Sequence, residues 1–208
     1  MKRLLRIDSS PTRPGSRTRA VADTFVQHWR AAQPHADVEH LDLWTTELPE
    51  FDAEMIEAKF AVLRRQDATD AQRQRWDKAM RLARQLNAAD VVLVAAPVWN
   101  FGLPYRLKHY IDVVTLPEQN WRWTRERGYE PLLQGKAAVL VCSSANDYPA
   151  EGLHPPDFAK PHLRQWLRFI GIDEVHTINV APTLDAPDPV AARLTASQDA
   201  AAASAGRL

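Results

Sequence analysis

Excess charge of either sign is missing from this chain. Lysine and arginine number 26, aspartate and glutamate 26, over 208 residues. The balance removes the usual electrostatic argument for a nucleic-acid partner or an acidic protein-docking surface. Cysteine is nearly absent: Cys142 stands alone in an apolar run. No internal disulfide can form, and a buried thiol in a reducing compartment is the expected state. No apolar stretch is long enough to span a bilayer. The segment Met1 to Asp8 is too short and too polar for a signal peptide. A cytoplasmic protein without membrane insertion is expected. The seven histidines lack metal-ligand spacing, so no metal is expected, and no Ser-His-Asp set declares itself. There is no repeat and no composition shift, so residues 1–208 read as one domain with a sizeable core.

What is present is an alternation of short apolar runs and amphipathic segments. Residues 2–8 read as a first strand, followed by a helix capped near Ser16 with Val21, Phe25 and Trp29 on one face. Val38 to Leu43 suggests a second strand, with Leu43 or Trp44 at its edge. Two helices follow, about 52–62 (Met55, Ile56, Phe60) and about 70–86 (Trp76, Met80, Ala83, Leu86), separated by the charged Arg64 to Asp67. Val91 to Ala96 is the third strand and Tyr105 to Thr115 the next helix. Residues 117–131 form a long connection containing Trp121-Arg122-Trp123-Thr124, unlikely composition for plain solvated coil. Lys136 to Cys142 is an almost wholly apolar strand. Residues 147–161 are irregular. A helix from about 161 to Ile170 stops at Gly171, and a strand over Glu174 to Val180 and a helix from about 189 to 203 complete the chain. Strands alternating with crossover helices predict an α/β fold. The expectation is a three-layer sandwich with a five-stranded parallel sheet in the flavodoxin-like order 2-1-3-4-5.

In that order, polar loops at the carboxyl ends of strands one, three and four converge on one crevice. The first loop offers Ser10, Ser16, Arg17 and Thr18 where a helix begins, either as plain caps or as an anion site. There is no G-x-G-x-x-G and no Walker A lysine, which leaves a mononucleotide with one phosphate as the fitting ligand. The second loop, Pro97-Val98-Trp99-Asn100-Phe101-Gly102-Leu103-Pro104, is braced by two prolines. Its rings either plug the sheet edge or wall a flat cofactor. The third loop supplies Ser143, Ser144, Ala145 and Asn146. Together the three describe a site for flavin mononucleotide.

These residues carry a resemblance. Ser9-Ser10, Ser16-Arg17-Thr18 and Ala96-Pro97-Val98-Trp99-Asn100-Phe101 are its main part. Leu107-Lys108-His109-Tyr110-Ile111-Asp112, Trp121-Arg122-Trp123-Thr124 and Gly135-Lys136 extend it. Over nearly its whole length the chain resembles the bacterial FMN-dependent NADH:quinone oxidoreductases of the flavodoxin-like azoreductase type. The resemblance implies FMN held at its phosphate and ribityl chain by Ser10, Ser16, Arg17 and Thr18. It implies Val98, Trp99, Asn100 and Phe101 around the isoalloxazine, with the Asn100 backbone amide assigned toward N5. Ser143, Ser144, Ala145 and Asn146 are expected at the pyrimidine end. Ala145-Asn146 departs from the glycine pair common in the family, and Arg17 from its usual glutamine.

The implied chemistry is a ping-pong cycle. NADH or NADPH delivers a hydride to FMN and leaves, and a quinone, azo or nitroaromatic acceptor then takes its place. The resemblance also implies a homodimer with the site completed at the interface. Trp121 and Trp123 are then either a substrate lid or dimer packing. His109 reads as structural, and His154 lies near the expected crevice mouth. The alternatives are a non-enzymatic flavodoxin-like electron carrier, against which the balanced charge argues, and a flavin-binding regulatory protein.

Overall fold

Branched and small apolar residues build the sheet. In the computed structural model, which describes residues 1–64 (side chains to 61), 68–148 and 156–208, β3 (Val91–Pro97) is buried from Val91 through Ala96. β6 (Ala137–Ser143) is buried in the same way. A strand covered on both faces has no polar alternation to show, which is why both appear in the sequence as continuous apolar runs. Around them lie β1 (Arg3–Asp8), β2 (Asp37–Asp42) and β7 (Glu174–Val180). The five strands are parallel and ordered β2-β1-β3-β6-β7, the expected 2-1-3-4-5 when sheet strands alone are counted.

The two faces take different helices. Leu5, Ile7, Val92, Val94, Ala138 and Leu140 point into one cluster. It is shared with α2 (Ala53–Arg64), α3 (Asp70–Ala88), α4 (Tyr105–Val114) and α5 (Ala159–Ile170). Leu4, Leu93, Ala95, Val139 and Val141 point the other way, against α1 (Arg17–Ala32) and α6 (Pro187–Ala205). Phe25 and Trp29 are fully buried there and stack with centroids 6.1 Å apart. Each such side chain contributes roughly 1.5–3 kcal/mol relative to exposure.

Two details differ from the periodicity. In α2, Met55 is buried, but Ile56 and Phe60 are exposed, and the small Ala58 faces the core instead. The long connection at 117–131 is an antiparallel hairpin, β4 (Trp121–Thr124) paired with β5 (Gly128–Pro131). An isolated hairpin is marginal in water. This one is held by Trp121, whose ring lies 5.5 Å from Tyr129 and 5.6 Å from Phe169 of α5. Arg65 to Asp67 of the charged interruption, and His154, lie outside the described residues. Among the described residues, no helix is long and apolar enough to cross a membrane. Cys142 is buried in β6, and burial pushes its thiol up to about 12.

Candidate functional site

Three loops meet at the carboxyl edge of β1, β3 and β6. The Ser9 amide and hydroxyl both donate to the Ala95 carbonyl, at 3.0 and 2.9 Å. The Val98 amide donates to the Ser143 carbonyl at 2.7 Å. These cross-loop bonds extend the sheet register, which pairs Asp8 with Ala95 and Pro97 with Ser143. The ends of the three strands therefore stand side by side.

The first loop turns at Gly15, where φ is +79°, and enters α1 at its cap, Ser16. The Ser16 hydroxyl accepts from the Arg19 amide at 3.4 Å and lies 3.3 Å from Thr18 Oγ1. Ser10 Oγ lies 3.1 Å from Thr12 Oγ1. The first turn of α1 holds no acidic residue. Its free amides and dipole, with Arg17 alongside, favour an anion.

The second loop is a tight turn. Trp99 N donates to Gly102 O at 3.0 Å, and Gly102 N returns to Trp99 O at 2.9 Å. Between them Asn100 has φ 46° and Phe101 φ 69°. Two successive positive φ values define a primed turn, where asparagine is tolerated and phenylalanine is strained. Strain of this kind persists where the surroundings over-determine it, and it clusters at ligand clamps. The turn leaves Trp99 and Phe101 partly open to solvent, 37% and 41% exposed. Val98 behind them is buried. Among the described residues, no hydrogen bond occupies the Asn100 or Phe101 amide.

The third loop is fastened from behind. Ser144 is buried and its hydroxyl donates to Asn146 O at 2.7 Å. Thr183, just after β7, donates its amide to Ser144 O at 2.9 Å and its hydroxyl to the same oxygen at 3.0 Å. Ala145 and Asn146 are exposed, and neither has positive φ. Their side chains are thus compatible with the backbone this loop adopts.

Several residues that position the site were not singled out from sequence. Asp8, fully buried, accepts from Arg6 at 3.1 Å, Arg19 at 2.9 Å and His40 Nε2 at 2.8 Å. Burial pushes its carboxyl up. The His40 and Arg6 hydrogen bonds, with the charges of Arg6 and Arg19, outweigh that and hold it below the ordinary range. Trp44 donates from Nε1 to Ser9 O at 2.8 Å, and its ring lies 6.4 Å from Trp99 and 5.5 Å from Tyr105. It ties the first loop to the second. Arg106 donates to Leu43 O and Thr46 O, both at 2.8 Å, anchoring the segment that carries Trp44. A large aromatic directly after an edge strand was the only sequence signal for this brace.

His109 Nε2 lies 2.8 Å from Pro49 O, a structural contact between α4 and the segment before α2. Trp121 is 7% exposed, packed within its own chain, whereas Trp123 is 54% exposed on the hairpin. The hairpin follows the end of α4 opposite the Asn100 turn. The three loops are brought together, and the two tryptophans stand apart from them on a separate element.

A family model described as flavodoxin-like fold matches residues 2–205. An FMN-dependent NADH:quinone oxidoreductase of Bradyrhizobium diazoefficiens is 38% identical over 199 residues, covering 94% of this chain and 95% of its own. One from Desulfotalea psychrophila is 36% identical over 184 residues, covering 88% and 87%. Among solved structures, an azoreductase from Bacillus anthracis superposes with a TM-score of 0.91 at 24% identity, with 100% of both chains covered. An FMN-dependent NADH-azoreductase of the same species in complex with FMN gives 0.89 at 19% identity, covering 100% and 99%. The structural likenesses carry the fold, and the sequence relatives carry the family. The chain belongs to the flavodoxin-like family of FMN-dependent NADH:quinone oxidoreductases.

Proposed function

We propose that this protein is an FMN-dependent oxidoreductase that takes electrons from NADH or NADPH and reduces quinones and azo compounds. One domain per chain, a cytoplasmic setting and a homodimer complete the reading. The observation that carries it is the Asn100-Phe101 turn, strained and outward-facing, set between an anion-suited helix terminus and a hydroxyl-rich loop.

The residues fit FMN by their donor chemistry. Ser10, Ser16, Arg17 and Thr18 would hold one phosphate and the ribityl hydroxyls through a helix terminus and short donors. Val98, Trp99, Asn100 and Phe101 would bound the isoalloxazine, and Ser143, Ser144, Ala145 and Asn146 its pyrimidine end. When bound, FMN would supply the hydride chemistry that links a nicotinamide donor to a two-electron acceptor. The chain contributes placement. With FMN bound, the Asn100 amide would serve as a donor toward the redox edge of the ring, and a donor fixed before reaction costs no reorganisation. Exposed Trp99 and Phe101 leave an aromatic border on which a planar acceptor can stack.

For the dimer, Trp123 and Tyr129 are supporting observations. They pair across the hairpin, 54% and 65% exposed. Apolar rings this open suit burial by a second copy, which would also bring Trp123 to the partner's acceptor site. The match over residues 2–205 supports one domain, and the lone buried thiol suits a reducing compartment.

The deciding experiment is the visible spectrum of the purified protein, with and without added FMN, followed by NADH oxidation with a quinone or an azo dye. Flavin bands and acceptor-dependent NADH consumption without any other reductase are expected. A colourless chain that ignores FMN overturns the reading. A flavin-loaded chain that cannot oxidise NADH makes it a carrier.

A further inference from the structure

One buried arginine joins both ends of the first loop, by its guanidinium at Ser10 and by its backbone amide at Ser16. Arg19 is the third residue of α1, and its side chain is 9% exposed. A buried cation in the first turn opposes the helix dipole, so its placement needs compensation. Nη1 donates to Asp8 Oδ2 at 2.9 Å, and Nη2 lies 3.0 Å from Asp42 Oδ2. These carboxylates stand at the ends of two adjacent strands, Asp8 opposite Asp42 in the register. The same Nη2 donates to the Ser10 carbonyl at 2.7 Å. The Arg19 amide donates to the Ser16 hydroxyl. Ser10 and Ser16 bracket the loop, and both are held by this residue. Nε is buried without a partner among the described residues.

We infer that Arg19 is a positioning residue for phosphate recognition. It clamps the Ser10 to Ser16 loop to the Asp8-Asp42 carboxylate pair and so sets the spacing of the donors that meet a phosphomonoester. The inference rests on the reading of this loop as the FMN phosphate site. Ionic pairing alone would not need the Ser10 carbonyl. Asp8 keeps Arg6 and His40 without Arg19, and Asp42 keeps Arg13 at 3.4 Å. The carboxylates are therefore not stranded when the clamp is removed, and an Arg19→Met chain retains a charge-compensated interior. What that change does remove is the tie between the Ser10 carbonyl and the two carboxylates, while the residue's backbone amide still bonds the Ser16 hydroxyl.

The test compares two flavins that differ only in the phosphate. Full-length wild-type protein, Arg19→Met, Arg19→Lys and Asp42→Asn are stripped of flavin and titrated with FMN and with riboflavin by fluorescence quenching. In Arg19→Met, the FMN dissociation constant should rise on the order of tenfold or more while that of riboflavin stays within about twofold. Arg19→Lys restores charge but not the fork, and should recover only part of the FMN preference. Asp42→Asn loosens one arm of the clamp and should shift the FMN-to-riboflavin ratio in the same direction. A general structural defect would weaken both flavins alike or lower only the melting temperature. Parallel weakening, or an unchanged ratio in the folded variants, overturns the inference. If Arg19→Met fails to fold, the ratios of the other two variants decide in the same way. A wild-type chain that binds neither flavin fails at the underlying reading instead, and the inference falls with it.

Discussion

At the scale of single residues, the site depends on conformations and charges that neighbours enforce. Asn100 sits at φ 46°, a region its short polar side chain tolerates and a β-branched one does not. Asn100→Val should cost about 1–2 kcal/mol, read as a lower urea midpoint in the flavin-free protein. An unchanged midpoint would mean that the turn is not held in this geometry. Asp8 gives a second prediction. Its carboxyl is buried among Arg6, Arg19 and His40, and Asp8→Asn removes one of two carboxylates from each guanidinium, leaving Arg6 with Asp23 and Arg19 with Asp42. The loss should be about 1.5–3 kcal/mol at neutral pH. Because its folded pKa is depressed, the stability from Asp8 is fully present above its unfolded value of about 3.9. It is lost as pH falls through the lower folded value. The stability gap between wild type and Asp8→Asn should therefore close only below that range, checked by urea unfolding at stepped pH. A gap that closes near pH 6 would assign the effect to another group.

At the scale of elements, the strands and most helices were open to reading because their causes are local. Val91 to Ala96 is apolar throughout, Ser16 caps α1 as its residue type suggests, and Gly171 ends α5 with φ +104°. Gly171 also shows what local reading leaves out. A Cβ there would stand 2.0 Å from the Leu133 carbonyl oxygen, so the helix end is pressed against the segment entering β6. Gly171→Ala combines that clash with a left-handed backbone. It should cost about 1–3 kcal/mol, more than a cap alone, measured by thermal unfolding. The hairpin was hidden for a related reason. Its strands are four residues long, and its ordering contact, Trp121 on Phe169, joins residues far apart in sequence. The pairing of Arg122 with Glu130 at 3.1 Å becomes meaningful only once that fold is in place.

At the scale of the whole molecule, the exposed hairpin face bears on assembly. Trp123→Ala removes a ring that is 54% exposed in the single chain, so the fold should lose little. If this face meets a second copy, the dimer should dissociate at a higher protein concentration in sedimentation, with a change in acceptor KM. Unaltered dimerisation and KM would exclude Trp123 from both roles. The sequence by itself determined the parallel α/β order and the three loop segments, because apolar periodicity and helix signals act over a few residues. Only the tertiary structure decided that Asp8, Arg19 and Asp42 join beneath the first loop, that Trp44 braces it to the second, and that Trp121 is packed while Trp123 is open. A buried charge is tolerated only when distant partners arrive with the right geometry. That geometry exists only after the sheet has set the strand ends side by side.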